Sequence, residues 1–326
     1  MSSRQQILHD VFRTGRKAVK ALGAFLSFSL ADHRFSVAKV VCISLEADGI
    51  YLVYGEKALW RISIKHCRYV PSEEDVPPSP EYLASVVSDF VSEWKLFRAS
   101  FILCLPRAWS ILKKIDLPLM AAENLAGVVS FELDRFTPLS KDNAFYDYTV
   151  LGEDSSHLKI GLAVARADQI SAYQKALQNK KIRMNKAIIS SHAIRSLILK
   201  TSPKADAIYL LLHGDVYEYG IIENSLLMRS ASGRLKTGDE EAFHDLAGQV
   251  LALGDDLTRL GRRPQILVDA DEMQIQKLRN HLGTAKVSSL HFDDWPNDAG
   301  DKKNLSFVAL GGALGELYNI SHNINL

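Results

Sequence analysis

Apolar residues in this chain fall into short runs separated by turn residues, a pattern typical of β-strands. Two groups of three runs each predict a β-meander: Lys39–Leu45, Gly49–Tyr54 and Leu59–Ile64, then Ala207–Leu212, Val216–Glu223 and Ser225–Ser230. Each group is followed by segments whose apolar residues recur at helical spacing. The two halves of the chain therefore predict two lobes of related design, each mixing strands and helices.

Between the two meanders the pattern predicts a further set of elements. Ser79-Pro80-Glu81 has the cap hydroxyl, first-turn proline and acid of a helix start. The later elements are strands Ser100–Leu105 and Ser110–Leu117, a helix over Ala121–Phe136, strands Phe145–Leu151 and Leu158–Ala165, and a helix over Asp168–Leu177. Strand Gln265–Asp269 and a last helix over Leu305–Tyr318 follow the second meander.

This order predicts an α/β chain with the duplicated ribonuclease-H/actin-like fold, in two lobes. The predicted divisions are an arm over residues 1–36, a first lobe over 37–195, a second lobe over 196–320 and a linker over 321–326. An inserted subdomain is expected within the first lobe, at about residues 115–165.

The first 36 residues carry six basic and two acidic side chains, although the whole chain has a net charge of only +1. Val19, Leu22, Phe25 and Leu26 make this arm amphipathic. Two interpretations remain open: a helix packed on the body of the protein, or a helix on an anionic membrane surface. In the second case the contacts would come from four residues: Arg13, Arg16, Lys17 and Lys20. The apolar run Ala21–Ala31 is too short to cross a bilayer.

Composition and motifs exclude several kinds of chemistry. The three cysteines, Cys42, Cys67 and Cys104, are scattered and lie in apolar runs, which favours buried thiols over disulfides or zinc. We predict no metal site. The near-zero net charge gives no reason to expect nucleic acid as a partner. No Walker loop, nucleophile elbow or zinc-protease motif occurs, so no catalytic residue is predicted.

The segment Leu117–Val150 carries a more specific pattern, in which a helix end, a proline and a strand follow one another at fixed spacing. Its core reads Phe131-Glu132-Leu133-Asp134-Arg135-Phe136-Thr137-Pro138, then Phe145-Tyr146-Asp147-Tyr148. It resembles the cytoplasmic domain of the type II secretion L component (GspL-like) and fused pilus assembly proteins of the PilM–PilN type. The signature residues of this resemblance are Phe131, Glu132, Asp134, Arg135, Thr137, Pro138, Asp147 and Tyr148.

The resemblance implies an actin-like domain at the cytoplasmic face of the bacterial inner membrane. Its implied partners are the cytoplasmic secretion or pilus assembly ATPase and inner-membrane platform proteins, with self-association also possible. The final residues, Asn323-Ile324-Asn325-Leu326, resemble the peptide that precedes a membrane helix in pilus N-type proteins. We therefore expect a soluble fragment of a single-pass membrane protein, with a naturally detached protein as the alternative.

Active proteins of the actin-like superfamily hold phosphates with an Asp-x-Gly hairpin, in which the carboxylate positions Mg²⁺ and glycine admits the phosphate. By resemblance, Ser44 stands at the aspartate position and Glu46 at the glycine position. An anion therefore faces the phosphate position, so ATP with Mg²⁺ is possible but disfavoured. Asp48 and Gly49, which follow in the same hairpin, offer a displaced metal anchor.

The second hairpin has the reversed order Gly214-Asp215, which an ordinary tight turn explains. Gly311-Gly312 would let a helix approach an adenine, but close helix packing explains the pair equally well. With both hairpins degenerate, the sequence predicts a non-catalytic scaffold of a secretion or pilus platform that needs no cofactor and recruits the assembly ATPase. The alternatives are an active actin-like ATP-binding protein or ATPase, and a membrane-surface adaptor acting through the basic arm.

Overall fold

The structure is a computed structural model. It describes residues 37–59, 61–72, 78–202, 206–235, 240–259, 261, 264–282, 287–292, 305–319 and 325–326. The basic arm lies outside these residues, and so do Arg13, Arg16, Lys17 and Lys20, on which its predicted membrane contact depends.

The described part of the chain contains thirteen strands and seven α-helices. The strands are β1 Ala38–Glu46, β2 Gly49–Ala58, β3 Arg61–Pro71, β4 Ser100–Leu105, β5 Ser110–Pro118, β6 Ala144–Glu153, β7 His157–Arg166, β8 Met184–Ile189, β9 Ala207–His213, β10 Val216–Glu223, β11 Leu226–Arg234, β12 Gln265–Asp269 and β13 Val287–Ser289. The helices are α1 Pro80–Trp94, α2 Leu125–Phe136, α3 Ala167–Asn179, α4 Ser190–Thr201, α5 Glu240–Arg259, α6 Glu272–Leu282 and α7 Phe307–Leu317. No described helix is both long enough and apolar enough to span a bilayer.

The first lobe is built on a sheet of order β3-β2-β1-β4-β8. Strands β1 to β3 form an antiparallel meander, and β4 and β8 run parallel to β1. Successive residues of a strand point to opposite faces. Val41 and Ile43 therefore pack with α1 and α3 on one face, while Val40 and Cys42 pack with α4 and α7 on the other.

The second lobe repeats this order in a sheet β11-β10-β9-β12-β13, again with an antiparallel meander followed by parallel strands. Ile208 and Leu210 pack against α5 and α6. Tyr209 and Leu211 face inward, onto the core that also contains α4 and α7. The two sheets thus enclose these two helices, and residues 38–46 and 207–213 occupy equivalent central positions.

A third sheet, of order β5-β7-β6, lies in the chain between β4 and β8. It is antiparallel, and α2 covers one of its faces with Val129 and Leu133. Its strands begin at Ser110 and end at Arg166, a wider range than the predicted insertion.

Several predicted elements differ from those in the structure. Strand β3 extends to Pro71 rather than ending at Ile64, because a bulge opposite Gly55 lets pairing with β2 continue. The helix predicted over Ala121–Phe136 is a 3₁₀ helix to Asn124 and an α-helix only from Leu125, where the Asn124 side chain caps the Gly127 amide at 3.3 Å.

Strand β8 and helix α4 were not predicted. The expected boundary between residues 195 and 196 falls inside α4, which spans Ser190–Thr201. This helix is central to the fold, since every residue from Ser190 to Ile198 is buried.

Candidate functional site: the cleft between the lobes

The two central hairpins face each other across the cleft between the lobes. Glu46 ends β1 in the first lobe, and His213 ends β9 in the second. The Glu46 side chain is only 11% exposed, and its Oε2 lies 4.0 Å from Nδ1 of His213. Its Oε1 accepts a hydrogen bond from the hydroxyl of Ser306, which caps α7. Glu46 therefore contacts both the opposite lobe and the helix between the sheets.

His213 has a second acidic neighbour within its own lobe. Its Nε2 lies 2.9 Å from Oδ2 of Asp269, the last residue of β12. Strands β9 and β12 are adjacent and parallel, so both side chains emerge at the same edge of the sheet. The imidazole thus lies between Asp269 and Glu46; we call Glu46, His213 and Asp269 the cleft clasp.

The protonation of the clasp follows from its burial. Burial raises the pKa of Glu46 to about 7, although the His213 charge and the Ser306 hydroxyl limit the rise. Burial by itself lowers the pKa of His213. Asp269, through its hydrogen bond and its charge, acts in the opposite direction, and so does the charge of Glu46. Together they raise the pKa of His213 to about 9. Near neutral pH the imidazolium is therefore charged, while Glu46 is close to its midpoint.

The other expected residues of the first hairpin act on the cleft clasp from its side: the charge of Asp48 raises the pKa of both Glu46 and His213. Ser44 is fully buried, and its hydroxyl has no hydrogen-bond partner of normal geometry among the described residues. Asp48 accepts a hydrogen bond from the Tyr51 hydroxyl at 2.6 Å. Gly49 starts β2 opposite Pro71. Asp48 is thus already engaged on its own hairpin, and its role as a displaced metal anchor stays a prediction.

In the second hairpin, Gly214 and Asp215 form the two-residue turn between β9 and β10. Gly214 has φ +61°, a left-handed conformation that glycine adopts without strain. The Asp215 carboxylate lies 3.4 Å from Arg234 of β11, so it pairs along its own sheet.

Gly311 and Gly312 lie in α7, where it crosses α4 and β1. A Cβ on Gly311 would stand 2.1 Å from the carbonyl oxygen of Ala193, and one on Gly312 would stand 2.5 Å from Sγ of Cys42. At contacts this short, any side chain would force neighbouring atoms to shift. Close packing of α7 therefore accounts for both glycines.

Behind the clasp lies a buried polar network centred on Glu218 of β10. Its Oε1 accepts hydrogen bonds from Ser191 at 2.7 Å and from Tyr209 at 2.8 Å, and its Oε2 accepts one from Ser190. Burial raises the pKa of Glu218, and the serine and tyrosine hydroxyls oppose that rise. The network joins α4 to both β9 and β10.

Arg107 extends this network to the first lobe. It follows β4, and its Nε donates to the Ser230 hydroxyl at 2.7 Å while its Nη2 donates to the Ser230 carbonyl at 3.0 Å. Its Nη1 donates to the carbonyl of Ser110 at 2.6 Å. One guanidinium therefore ties the second lobe to the start of the third sheet.

The space left in the cleft is small. A cavity of about 90 Å³ is lined by Glu46 and Arg107 on one side and by His213 and Glu218 on the other. Ligand pockets in proteins usually measure about 300–1,000 Å³. Within the described residues, no group of three or more His, Cys, Asp or Glu side chains is arranged to hold a metal ion.

The signature residues lie on the third sheet and α2, away from the cleft. Phe131 is 84% exposed, Asp134 is exposed, and Glu132 pairs with Arg135 at 3.1 Å. Thr137 closes α2 by donating to the carbonyl of Leu133 at 3.2 Å, and Pro138 follows it. Tyr148 packs against the core of this unit.

Asp147, the remaining signature residue, contacts the end of the chain. Its Oδ2 accepts the backbone N–H of Asn325 at 2.8 Å. The backbone N–H of Leu326 donates to the carbonyl of Ala187 at 2.8 Å, and the Asn325 side chain accepts the Ala187 N–H at 3.3 Å. Residues 325–326 therefore line the free edge of β8. The rest of the predicted linker, residues 321–324, lies outside the described residues.

Sequence reasoning located Glu46 but missed His213, Asp269, Arg107 and Glu218. A usable signal existed for two of them, since His213 and Asp269 each end a predicted strand, and parallel strands carry sites at their carboxyl ends. Glu218 and Arg107 had no comparable signal, because their partners come from elements distant in the chain.

No protein-family model and no curated protein sequence matches this chain. Solved structures that resemble its fold include two of particular interest. The "PilM-PilN type IV pilus biogenesis complex" gives a TM-score of 0.62 at 14% identity, covering 85% of this chain and 98% of that one. The cytoplasmic domain of EpsL, an inner-membrane component of the type II secretion system of Vibrio cholerae, gives 0.50 at 11% identity, covering 88% and 97%.

At these identities the likeness is one of fold. It confirms the two-lobed, actin-like α/β architecture that the sequence predicted. These structures are also of the two kinds that the segment Leu117–Val150 resembles.

Proposed function

We propose that this chain is a non-catalytic scaffold of a type II secretion or type IV pilus assembly platform, whose cleft is closed by its own side chains instead of by nucleotide. The observation that carries the proposal is the cleft clasp. By resemblance, Glu46 stands where active actin-like proteins have a phosphate-binding glycine, and its carboxyl group faces His213 of the other lobe at 4.0 Å.

Electrostatics supports this interpretation. A triphosphate entering the cleft would meet Asp269 and Glu46, and near neutral pH Glu46 is ionised in only part of the molecules. Like charges about 4 Å apart repel by about 4 kcal/mol at an effective dielectric near 20. The His213 imidazolium, which could attract a phosphate, already has two acidic neighbours. The cavity of about 90 Å³ would also have to enlarge severalfold to admit a nucleotide.

With the cleft closed, function would rest on the protein's surface. The likeness to a pilus biogenesis complex and to a secretion component supports a place in such an assembly. We propose the cytoplasmic assembly ATPase as the main partner, with the basic arm adding attraction to an anionic inner-membrane surface. Such attraction acts over about one Debye length and weakens with salt.

Calorimetric titration with Mg-ATP tests the closed cleft. The protein is expected to give no micromolar binding and no metal-dependent hydrolysis. A matched variant, Ser44→Asp with Glu46→Gly, restores the Asp-x-Gly pattern and should bind more tightly than the parent. If the parent protein bound Mg-ATP with a micromolar dissociation constant, the proposal that the cleft is closed without nucleotide would be wrong.

Co-purification with the N-terminal domain of the cognate ATPase tests the partner. A complex is expected at tens of micromolar or below, and deleting residues 1–30 should leave it intact. Absence of a complex between two folded proteins would refute ATPase docking while leaving the cleft result unaffected.

A further inference from the structure

A second cavity, of about 340 Å³, lies where the third sheet meets the second lobe. Apolar residues supply part of its wall: Leu112 belongs to the third sheet, and Ile221, Leu227 and Leu253 belong to the second lobe. The volume lies within the range of small-molecule sites. This cavity shares no lining residue with the cleft cavity, so it is a separate feature.

One buried polar atom beside the cavity, a ring nitrogen of His192, has no hydrogen-bond partner among the described residues. His192 of α4 is 3% exposed, and its Nδ1 makes no hydrogen bond within the described residues. Burial, reinforced by the charges of Arg195 and Arg107, lowers the pKa of His192 to about 3, so the ring is neutral. Leaving a buried polar atom unpaired is unfavourable, and a bound molecule could supply the missing hydrogen bond.

The charges around the cavity are mainly positive. Lys113, Lys114 and Arg229 line it, against the single carboxylate of Glu223. Lys113 donates to the carbonyl of Phe136 at 3.1 Å. Lys114 and Arg229 make no ion pair or side-chain hydrogen bond with any residue that the structure describes. Lys114 and Arg229 are both exposed. Two such cations beside a partly apolar cavity favour an anionic ligand.

We propose that this cavity binds a small amphipathic monocarboxylate, with its apolar body against the leucines and its carboxylate toward Lys114 and Arg229. His192 supplies a further hydrogen-bonding group on the wall. The site does not depend on the proposed scaffold function. A ligand bound there would contact both the third sheet and the second lobe.

Isothermal titration with sodium octanoate tests the proposal, with octanamide as an uncharged ligand of the same shape. Octanoate is expected to bind at least about tenfold more tightly than octanamide, because only the acid meets the two cations as an anion. In ¹⁵N-labelled protein, the imidazole resonances of His192 should shift on titration with octanoate.

Charge reversal provides the matched variants. Lys114→Glu and Arg229→Glu should each weaken octanoate binding by about tenfold or more and leave octanamide binding unchanged. Lys175→Glu, at an exposed site on α3, is the control and should bind octanoate like the parent. Circular dichroism would confirm that each variant is folded. No octanoate binding up to about 10 mM, or equal binding of acid and amide, would overturn the proposal.

Discussion

The carbonyl oxygen of Ala193 lies 2.1 Å from the point where a Cβ on Gly311 would stand. This contact sets the distance between α4 and α7, the two helices that both lobes share in one core. Glycine at 311 is thus a condition for the lobes to pack on a common pair of helices.

Gly311→Ala is therefore expected to destabilise the protein. The added methyl group would force α7 away from α4, and overpacking of a core costs about 1–3 kcal/mol. Urea unfolding at equilibrium measures the change. Gly248→Ala in α5 is the matched control, since a Cβ there meets nothing within 4 Å. It should stabilise the protein by about 0.5–1 kcal/mol through higher helix propensity. Equal effects of the two substitutions would count against the packing role.

Stability should fall as pH rises through the range in which the cleft clasp titrates. The folded-state pKa of Glu46, about 7, exceeds its usual 4.5, so the folded protein holds this proton more tightly. The resulting contribution to the free energy of unfolding is fully present below pH 4.5 and is lost as pH rises through about 7. His213 acts in the same direction, its contribution being lost as pH rises through about 9.

Glu46→Gln isolates the first of these two contributions. The variant should show a flatter dependence of unfolding free energy between pH 4.5 and 7, with a difference of no more than about 3 kcal/mol over that range. Glu153→Gln, at the exposed end of β6, serves as the control and should follow the parent curve. Parallel curves for Glu46→Gln and the parent would exclude a raised pKa at Glu46.

The hydroxyl of Tyr209 is expected to contribute to stability through Glu218. Tyr209→Phe keeps the buried ring but removes a donor to Oε1 of Glu218 at 2.8 Å. Hydrogen bonds to charged groups are worth about 1.5–3 kcal/mol, so a loss of about this size is expected in urea unfolding. Tyr219→Phe removes a hydroxyl that donates to Gln249 at the surface, also at 2.8 Å, and should cost less than about 0.5 kcal/mol. A loss at Tyr209 no greater than at Tyr219 would refute the buried network's role.

The contact between Asn325 and β8 predicts protection of a single amide. Asn325→Ala removes the acceptor of the Ala187 N–H, which should then exchange with solvent several times faster. Hydrogen–deuterium exchange read by NMR measures it. Asn179→Ala, at the exposed end of α3, should leave Ala187 unchanged. An unchanged rate in Asn325→Ala would mean that the contact does not protect β8 in solution.

Local signals in the sequence predicted much of the fold. Ser100–Leu105 is a strand with the predicted bounds, and Ser79 caps α1 by accepting the Tyr82 amide at 3.2 Å. Helix α4 escaped prediction because Ser190, Ser191, His192 and Arg195 interrupt any apolar stripe, yet all are buried. Their polar groups face other elements, so only the tertiary structure could reveal them.

The cleft shows the same limit of prediction from sequence. The sequence could single out Glu46 because the hairpin and the substitution both lie within a few residues; its place at a phosphate position stays a prediction. Its partner His213 lies in the other lobe, and the pairing depends on how the lobes pack. That distance of 4.0 Å is a property of the assembled core and of no local pattern.

The cleft clasp has a thermodynamic consequence. Its charged groups are permanent parts of the chain, whereas a nucleotide is consumed and replaced. Under the proposed non-catalytic function, opening and closing the cleft would dissipate no chemical energy and could perform no directed work. Each state would be populated at equilibrium, and a bound molecule could shift the balance only by its difference in affinity for the two states. In an assembly powered by an ATPase, such a subunit would transmit force generated elsewhere.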